Sequence, residues 1–410
     1  MAERKIAVIG AGGKITTAVM LELAVSDRET PILFAMNGRN AEKMARTRAI
    51  VGAHAGDNIR MAEMSLDEAL DGAEMILYCA SYGYAPCGKW KSMGVYNGAH
   101  LMDIGERMVK LCPDAWLLVV TNPPDVPLGA MAKTFGLRRL IGLCNASVFT
   151  RKVLSSWLGC EEKAVHLFDI GINHELWYAD VQKDGVSIYD ELRKTLPAYD
   201  KSQVQGVFHD KFPEWRTGFG NNVQMMELTG WLNAPVGGSV RYGGMRVPKA
   251  EMSALMKRPT AADYEKLTAD MTLEELYATT RRCAAEFPIY IADVLRSLLY
   301  NDGKSHSIQV LNGDDFPQFA PELMLQRSVS LTADGWKSDA VEVPVFIQAA
   351  VAGRAGQELL MYDALASQNV QTLRQAALVF AERMPVDKLD AWTADILDGK
   401  RSVEPEIVLN

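Results

Sequence analysis

Four short stretches of the sequence combine residue types and spacings that chemistry can use. The first, Gly10-Ala11-Gly12-Gly13-Lys14-Ile15-Thr16, follows an apolar run and precedes a stretch of helical spacing. Glycines here let the chain turn tightly and bring backbone N–H groups and a helix N-terminus against a pyrophosphate, where a side chain would collide. Gly10, Gly12 and Gly13, with Lys14 and Ile15 beside them, are therefore candidate dinucleotide contacts, Ile15 standing where the usual third glycine would be. The second, Thr121-Asn122-Pro123, ends a later apolar run, where an amide can meet a nicotinamide ribose or a substrate. The third and fourth are Gly142-Leu143-Cys144-Asn145 and Gly171-Ile172-Asn173-His174. Cys144 and His174 offer a thiolate and an imidazole, ligands of intermediate softness suited to zinc, iron or manganese, and two protein ligands would leave positions open for substrate oxygens. The same two residues read equally as a small buried hydrophobe and a hydrogen-bonded core histidine.

The second apolar run should end in a carboxylate that holds the adenosine ribose, yet the chain reads Met36-Asn37-Gly38-Arg39-Asn40. Asn37 can hydrogen-bond a ribose hydroxyl, which keeps NAD in play. Arg39 can pair with a 2′-phosphate, which keeps NADP in play, or can be a solvated loop arginine.

These residues need elements to position them. Apolar runs at 6–9, 31–35, 75–79, 116–120 and 140–143 alternate with helical spacing at 15–24, 40–53 and 101–111, the signature of βαβ units and a parallel sheet. The expected fold is α/β, a Rossmann-type doubly wound domain over residues 1–145, followed over 146–410 by an α+β domain for substrate, metal and oligomer contacts. In that second part, 166–178 and 231–247 read as turn-rich aromatic segments, 273–299 and 345–366 as long helices, and 400–410 as a loosely held tail. A formal charge of −8 with no basic run argues against nucleic acid. Neither a signal-peptide core nor an apolar stretch long enough for a membrane span is visible, so a cytoplasmic location is expected. The six cysteines are dispersed and read as reduced thiols.

Taken in order, Val8-Ile9-Gly10-Ala11-Gly12-Gly13, Asp71-Gly72-Ala73-Glu74-Met75-Ile76, Cys112-Pro113-Asp114-Ala115-Trp116, Thr121-Asn122-Pro123, the Cys144 and His174 motifs, and Asp339-Ala340-Val341-Glu342-Val343-Pro344 resemble glycoside hydrolase family 4. These glycosidases need NAD and a divalent metal, and their fold is that of lactate and malate dehydrogenases. The resemblance implies that Cys144 and His174 hold Mn²⁺ or a similar ion, that Asn122, Asn145 and Asn173 meet the substrate, and that Ser81, after the third major strand, joins the dinucleotide contacts. Members acting on α-linked substrates often carry Asp after the metal cysteine, as the leaving-group acid. Asn145 instead matches those acting on β-linked 6-phosphoglucosides. The family's reaction departs from the two-carboxylate scheme of most glycosidases. Hydride leaves C3 of the sugar for the nicotinamide, a tyrosine removes the acidified C2 proton, the C1 substituent is eliminated, water adds, and the hydride returns. The implied partner is a small glycoside, phosphorylated or otherwise anionic, and the implied assembly a homodimer or homotetramer.

The chain also departs from its relatives. Where they place the base tyrosine, this sequence has Ser239, and Tyr242 is the substitute candidate, with Arg241 beside it for the substrate. Ser81-Tyr82-Gly83-Tyr84 replaces an Arg-x-Gly-Gly that meets the substrate in relatives, so Arg241, Arg246 and Lys249 are the remaining anion-site candidates, and read equally as surface charge. The rival reading is an NAD(P)-dependent sugar or 2-hydroxyacid dehydrogenase. It needs a His–Asp pair, for which His174 and Asp169 are available, and two substrate arginines after the third major strand, which 81–90 lacks.

Overall fold

The computed structural model describes residues 2–26, 29–80, 90–196, 205–207, 216–218, 220–234 and 286–379. The expected features at 235–247, 273–285 and 400–410 lie outside them. The first part alternates strands and helices: β1 (Arg4–Ile9), α1 (Lys14–Ser26), β2 (Ile32–Asn37), α2 (Ala41–Gly52), β3 (Ile59–Glu63), α3 (Leu66–Leu70), β4 (Met75–Tyr78), α4 (Trp90–Leu111), β5 (Trp116–Val119), α5 (Asp125–Phe135) and β6 (Leu140–Gly142). The strands are parallel in the order β3-β2-β1-β4-β5-β6, the doubly wound arrangement. Helices cover both faces, so Ala7 and Ile9 pack on one side and Ile6 and Val8 on the other, all essentially without exposure. Strands buried on both faces read as unbroken apolar runs.

Two elements differ from the sequence reading. β3 was not expected: Ile59-Arg60-Met61-Ala62-Glu63 lies at the sheet edge, half exposed, and so lacks an apolar run. α4 begins at Trp90 rather than 101. Gly98, which looks like a helix breaker, lies where a Cβ would stand 2.4 Å from Leu365, so close helix packing accounts for it.

The second part comprises α6 (Ala146–Leu158), β7 (Val165–Ile172), β8 (Glu175–Lys183), β9 (Val186–Ser187), α7 (Tyr189–Thr195), β10 (Gln205–Val207), β11 (Arg216–Gly218), α8 (Gly220–Thr229), α9 (Glu286–Tyr300), β12 (Ser305–Leu311), β13 (Met324–Leu331), β14 (Trp336–Ser338), α10 (Val345–Ser367) and α11 (Val370–Val379). β10 and β11 form a separate two-stranded sheet, and the other strands extend the first sheet: β12 lies antiparallel beside β6, followed by β13, β7, β8 and β9, with β14 on β13. The boundary drawn at 145/146 thus falls just after β6, while the sheet runs on past it. The 166–178 stretch is not turn-rich but two long strands joined by a two-residue turn at Asn173-His174. Its polar members Asp169, Asn173 and Glu175 are buried, which hid the strand pattern. Among the described residues no helix is long and apolar enough to cross a membrane.

A buried carboxylate ties the two parts together. Asp169 on β7, 3% exposed, accepts hydroxyl hydrogen bonds from Ser147 on α6, Ser307 on β12 and Ser328 on β13. Burial pushes its carboxyl above the ordinary range, while the three hydroxyls pull it back. α6 begins just after Cys144, and β7 runs up to Asn173, so this junction sets the distance between the metal-ligand candidates.

Two stability measurements test this packing. Gly129 on α5 abuts the buried Tyr362 ring of α10, with a virtual Cβ 2.2 Å from Cε2. Gly129→Ala should therefore lower the urea midpoint, overpacking costing about 1–3 kcal/mol despite the better helix propensity. Asp169→Ala should destabilise by about 1–3 kcal/mol for each serine hydroxyl left without an acceptor, and Asp169→Asn by less. An unchanged midpoint in Asp169→Ala would show that the three hydroxyls find other partners at no cost.

Candidate active site

The carboxyl ends of β1, β2, β4, β5 and β6 converge on one edge of the sheet, the edge at which doubly wound folds bind ligands. At the end of β1, Gly10 adopts φ 87°, a region that L side chains avoid. A Cβ there would meet the Ala80 nitrogen at 2.9 Å, and one at Gly12 would meet the Lys43 Cβ at 2.8 Å. The turn is closed by Gly13 N–H donating to the Gly10 carbonyl at 3.0 Å. Thr16 Oγ1 lies 2.9 Å from the Gly10 carbonyl oxygen and 2.8 Å from that of Gly13. α1 starts immediately afterwards, its first residues Lys14 and Ile15 at the mouth of the turn. This cradle, stripped of side chains before a helix N-terminus, fits a pyrophosphate. β2 is locked beside it, because the Asn37 carbonyl accepts from Gly10 and Ala11 N–H at 2.9 and 3.1 Å. The Asn37 amide donates to the Met64 carbonyl at 3.0 Å, and Arg39 is exposed.

Next along the edge, Thr121 donates to the Ala80 carbonyl at 2.6 Å, joining the ends of β4 and β5. Asn122 follows through a cis Asn122-Pro123 peptide. Its side-chain oxygen is buried with no hydrogen-bond partner, the condition of an acceptor awaiting a ligand donor.

At the end of β6, Cys144 is 3% exposed. Burial, with the nearby Asp125 carboxylate, pushes its thiol up to about 11, against the pull of N–H groups from Ala146 and Asn145 and of the Asn173 side chain. Asn173 is itself fully buried; its side chain lies near the Cys144 sulfur, and neither of its amide atoms makes a well-formed hydrogen bond. The next residue, His174, sits at φ 65° in the β7–β8 turn, an uncommon conformation for a non-glycine residue and one that the tight turn enforces. The structure therefore brings the Asn173 side chain to Cys144, and His174 is the next residue of the same turn. Asn145, exposed at the start of α6, stands at their rim.

Among the described residues, no three His, Cys, Asp or Glu side chains gather within metal-binding reach. The chain's own donors to an ion would be the Cys144 sulfur and a His174 nitrogen, a set that suits a borderline divalent cation and leaves open positions. Deprotonation of the buried thiol would accompany cation binding, and the N–H groups already aimed at the sulfur would steady the thiolate.

Some expectations fall outside this geometry. Tyr242, Arg241 and Ser81 lie outside the described residues, as do Ser239, Arg246 and Lys249. The His174–Asp169 pair that a dehydrogenase would need is not supported, because the Asp169 carboxylate is taken up by three serines. Conversely, the sequence reading missed an ion pair between Arg354 on α10 and Glu175, the residue after His174. Its partners are 179 residues apart, and no local pattern connects them. A cavity of about 370 Å³ lies elsewhere, lined by Phe168, Phe316, Arg327 and Trp336 among others. There Arg327 donates to the Leu311 and Asn312 carbonyls, pairs with Asp315 and stacks over Trp336, a structural arrangement.

Comparison with known proteins bears on the fold and the family. A 36% identical stretch of 116 residues is shared with an alpha-galactosidase of Bacillus subtilis (strain 168), covering 27% of this chain and 27% of that protein. The chain thus aligns with less than a third of that relative's length. Across nearly the whole chain, the fold matches two solved structures. One is the 6-phospho-beta glucosidase from Thermotoga maritima with NAD and glucose-6-phosphate, with TM-score 0.77, 15% identity and coverage of 98% and 99% of the two chains. The other is a 6-phospho-alpha-glucosidase from gut microorganisms in complex with NAD and Mn²⁺, with TM-score 0.76, 16% identity and coverage of 98% and 99%. At these identities the likeness is one of fold. Residues 93–160 match the family 4 glycosyl hydrolase model and residues 170–379 that of the family 4 glycosyl hydrolase C-terminal domain; the second match alone takes in just over half of the sequence, and the chain belongs to family 4 of the glycosyl hydrolases.

Proposed function

We propose that this chain is a glycosidase that cleaves a small glycoside by a redox route, using a nicotinamide dinucleotide and a divalent metal such as Mn²⁺. The observation that carries the reading is the meeting of the Cys144 thiol with the Asn173-His174 turn at the sheet edge that also bears the glycine cradle. Family members of like fold are described with NAD, Mn²⁺ and glucose-6-phosphate, so an anionic sugar is the substrate class in view. A bound dinucleotide would take hydride from C3 and return it, and a bound cation would polarise the resulting ketone.

The chain's own residues supply the rest. Gly10, Gly12 and Gly13 admit the pyrophosphate, and the unpartnered Asn122 oxygen accepts a hydroxyl of the ligand. Cys144 and His174 hold the cation, with Asn173 setting the position of the sulfur. Asn145 faces the leaving group from the rim. Tyr242 takes the C2 proton, which the C3 ketone makes acidic, and Arg241 contacts the sugar.

Nitrophenyl glycosides, with and without a 6-phosphate, offered in D₂O with substoichiometric NAD⁺ and Mn²⁺ provide the test. Deuterium is expected at C2 of the released sugar, with activity lost on chelation. In Cys144→Ser, Mn²⁺ affinity, read by electron paramagnetic resonance without substrate, should fall roughly 10–100-fold or more. NADH accumulating in proportion to substrate, with no glycosidic bond broken, would establish a dehydrogenase instead.

A further inference from the structure

Resting on the dinucleotide reading above, we propose that the cradle accepts a 2′-phosphorylated nicotinamide adenine dinucleotide at least as well as the unphosphorylated form, with Arg39 as the phosphate-binding residue and Lys43 as its support.

The argument starts from register. β2 pairs with β1 so that Asn37 stands opposite Ile9, and its carbonyl takes the Gly10 and Ala11 N–H groups. Asn37 is therefore the residue at the end of β2 from which a carboxylate would bind both adenosine-ribose hydroxyls and repel a 2′-phosphate. It is an amide, with its nitrogen committed to the Met64 carbonyl. The carboxylate that excludes the phosphorylated cofactor is missing.

Positive charge stands in its place. The chain continues through Gly38, where a Cβ would lie 3.6 Å from the Ala11 nitrogen, so Arg39 follows directly from the wall of the cradle. The Arg39 charge is felt at His100 of α4, where it disfavours the imidazolium that burial already resists. His100 is bonded to the Tyr78 hydroxyl near the end of β4 at 2.8 Å. Arg39 thus lies close enough to this edge of the sheet for its charge to reach His100. From the other side, the Lys43 Cβ abuts Gly12, which brings a second cationic side chain to the turn. Of the nearby carboxylates, Glu63 pairs with Arg48 at 3.0 Å, and Glu42 is exposed on the first turn of α2. A guanidinium can grip a phosphate monoester through paired N–H donors, which an ammonium does as a point charge.

The test is direct binding to the full chain without metal or sugar, by calorimetry with NAD⁺ and NADP⁺. NADP⁺ is expected to bind at least as tightly as NAD⁺. Arg39→Ala should weaken NADP⁺ about tenfold or more, the loss of one charge-assisted contact, while changing NAD⁺ less than about threefold. Lys43→Ala should act in the same direction with a smaller effect, and added salt should weaken NADP⁺ more than NAD⁺. NAD⁺ binding with NADP⁺ weaker, or an equal loss of both in Arg39→Ala, overturns this proposal and leaves the dinucleotide reading intact. Binding of neither nucleotide overturns both.

Discussion

A thiol held at 3% exposure is a poor acid, and its value to a cation depends on what stands around the sulfur once the proton has gone. Here the surroundings are supplied by the chain that follows, through the N–H groups of Asn145 and Ala146, and by a distant hairpin, through the Asn173 side chain. The contact between Cys144 and Asn173 is the point on which the rest of the site turns. It joins the end of the last parallel strand to the tip of the β7–β8 hairpin, and it places an imidazole one residue further on. The Asp169 cluster behind it and the Glu175–Arg354 pair beside it act as braces, each drawing on elements far apart in the chain.

The first six strands of the sheet show how far sequence alone reaches. Runs such as Ile6-Ala7-Val8-Ile9 are buried on both faces and so announce themselves, and the glycine turn after β1 declares its role because no side chain fits at Gly10 or Gly12. β3 escaped notice because an edge strand with Arg60 and Glu63 in it carries no apolar signature. The β7–β8 hairpin escaped for the opposite reason: its buried face includes Asp169, Asn173 and Glu175, whose polarity is satisfied by partners that only the fold provides. Cys144 and His174 were legible as residue types with metal-binding chemistry, and the ordered motifs carried them to a family. The approach of the Asn173 turn to Cys144 was not legible, since the strands and helix around it are tied by serines at 147, 307 and 328 that resemble any other serines in a sequence.

Between the two halves of the sheet, the seam is narrow. β6 and β12 share a single register pair, Gly142 opposite Gln309, and a Cβ on Gly142 would stand 2.7 Å from the Gln309 side-chain oxygen. The strand that leads to Cys144 is thus pressed against its neighbour at one glycine, two residues before the sulfur. Close backbone approach of this kind is a recurrent use of glycine within strands.

That seam also orders events during synthesis. The strands β1 to β6 leave the ribosome as a nearly complete parallel unit, but the flank of β6 has no mate until residues 305–331 have been made. Translation adds about 5–20 residues each second, so a nascent chain carries a bare hydrogen-bonding edge for many seconds, the condition that invites pairing with a neighbouring polypeptide. Once β12 has paired, that flank is closed.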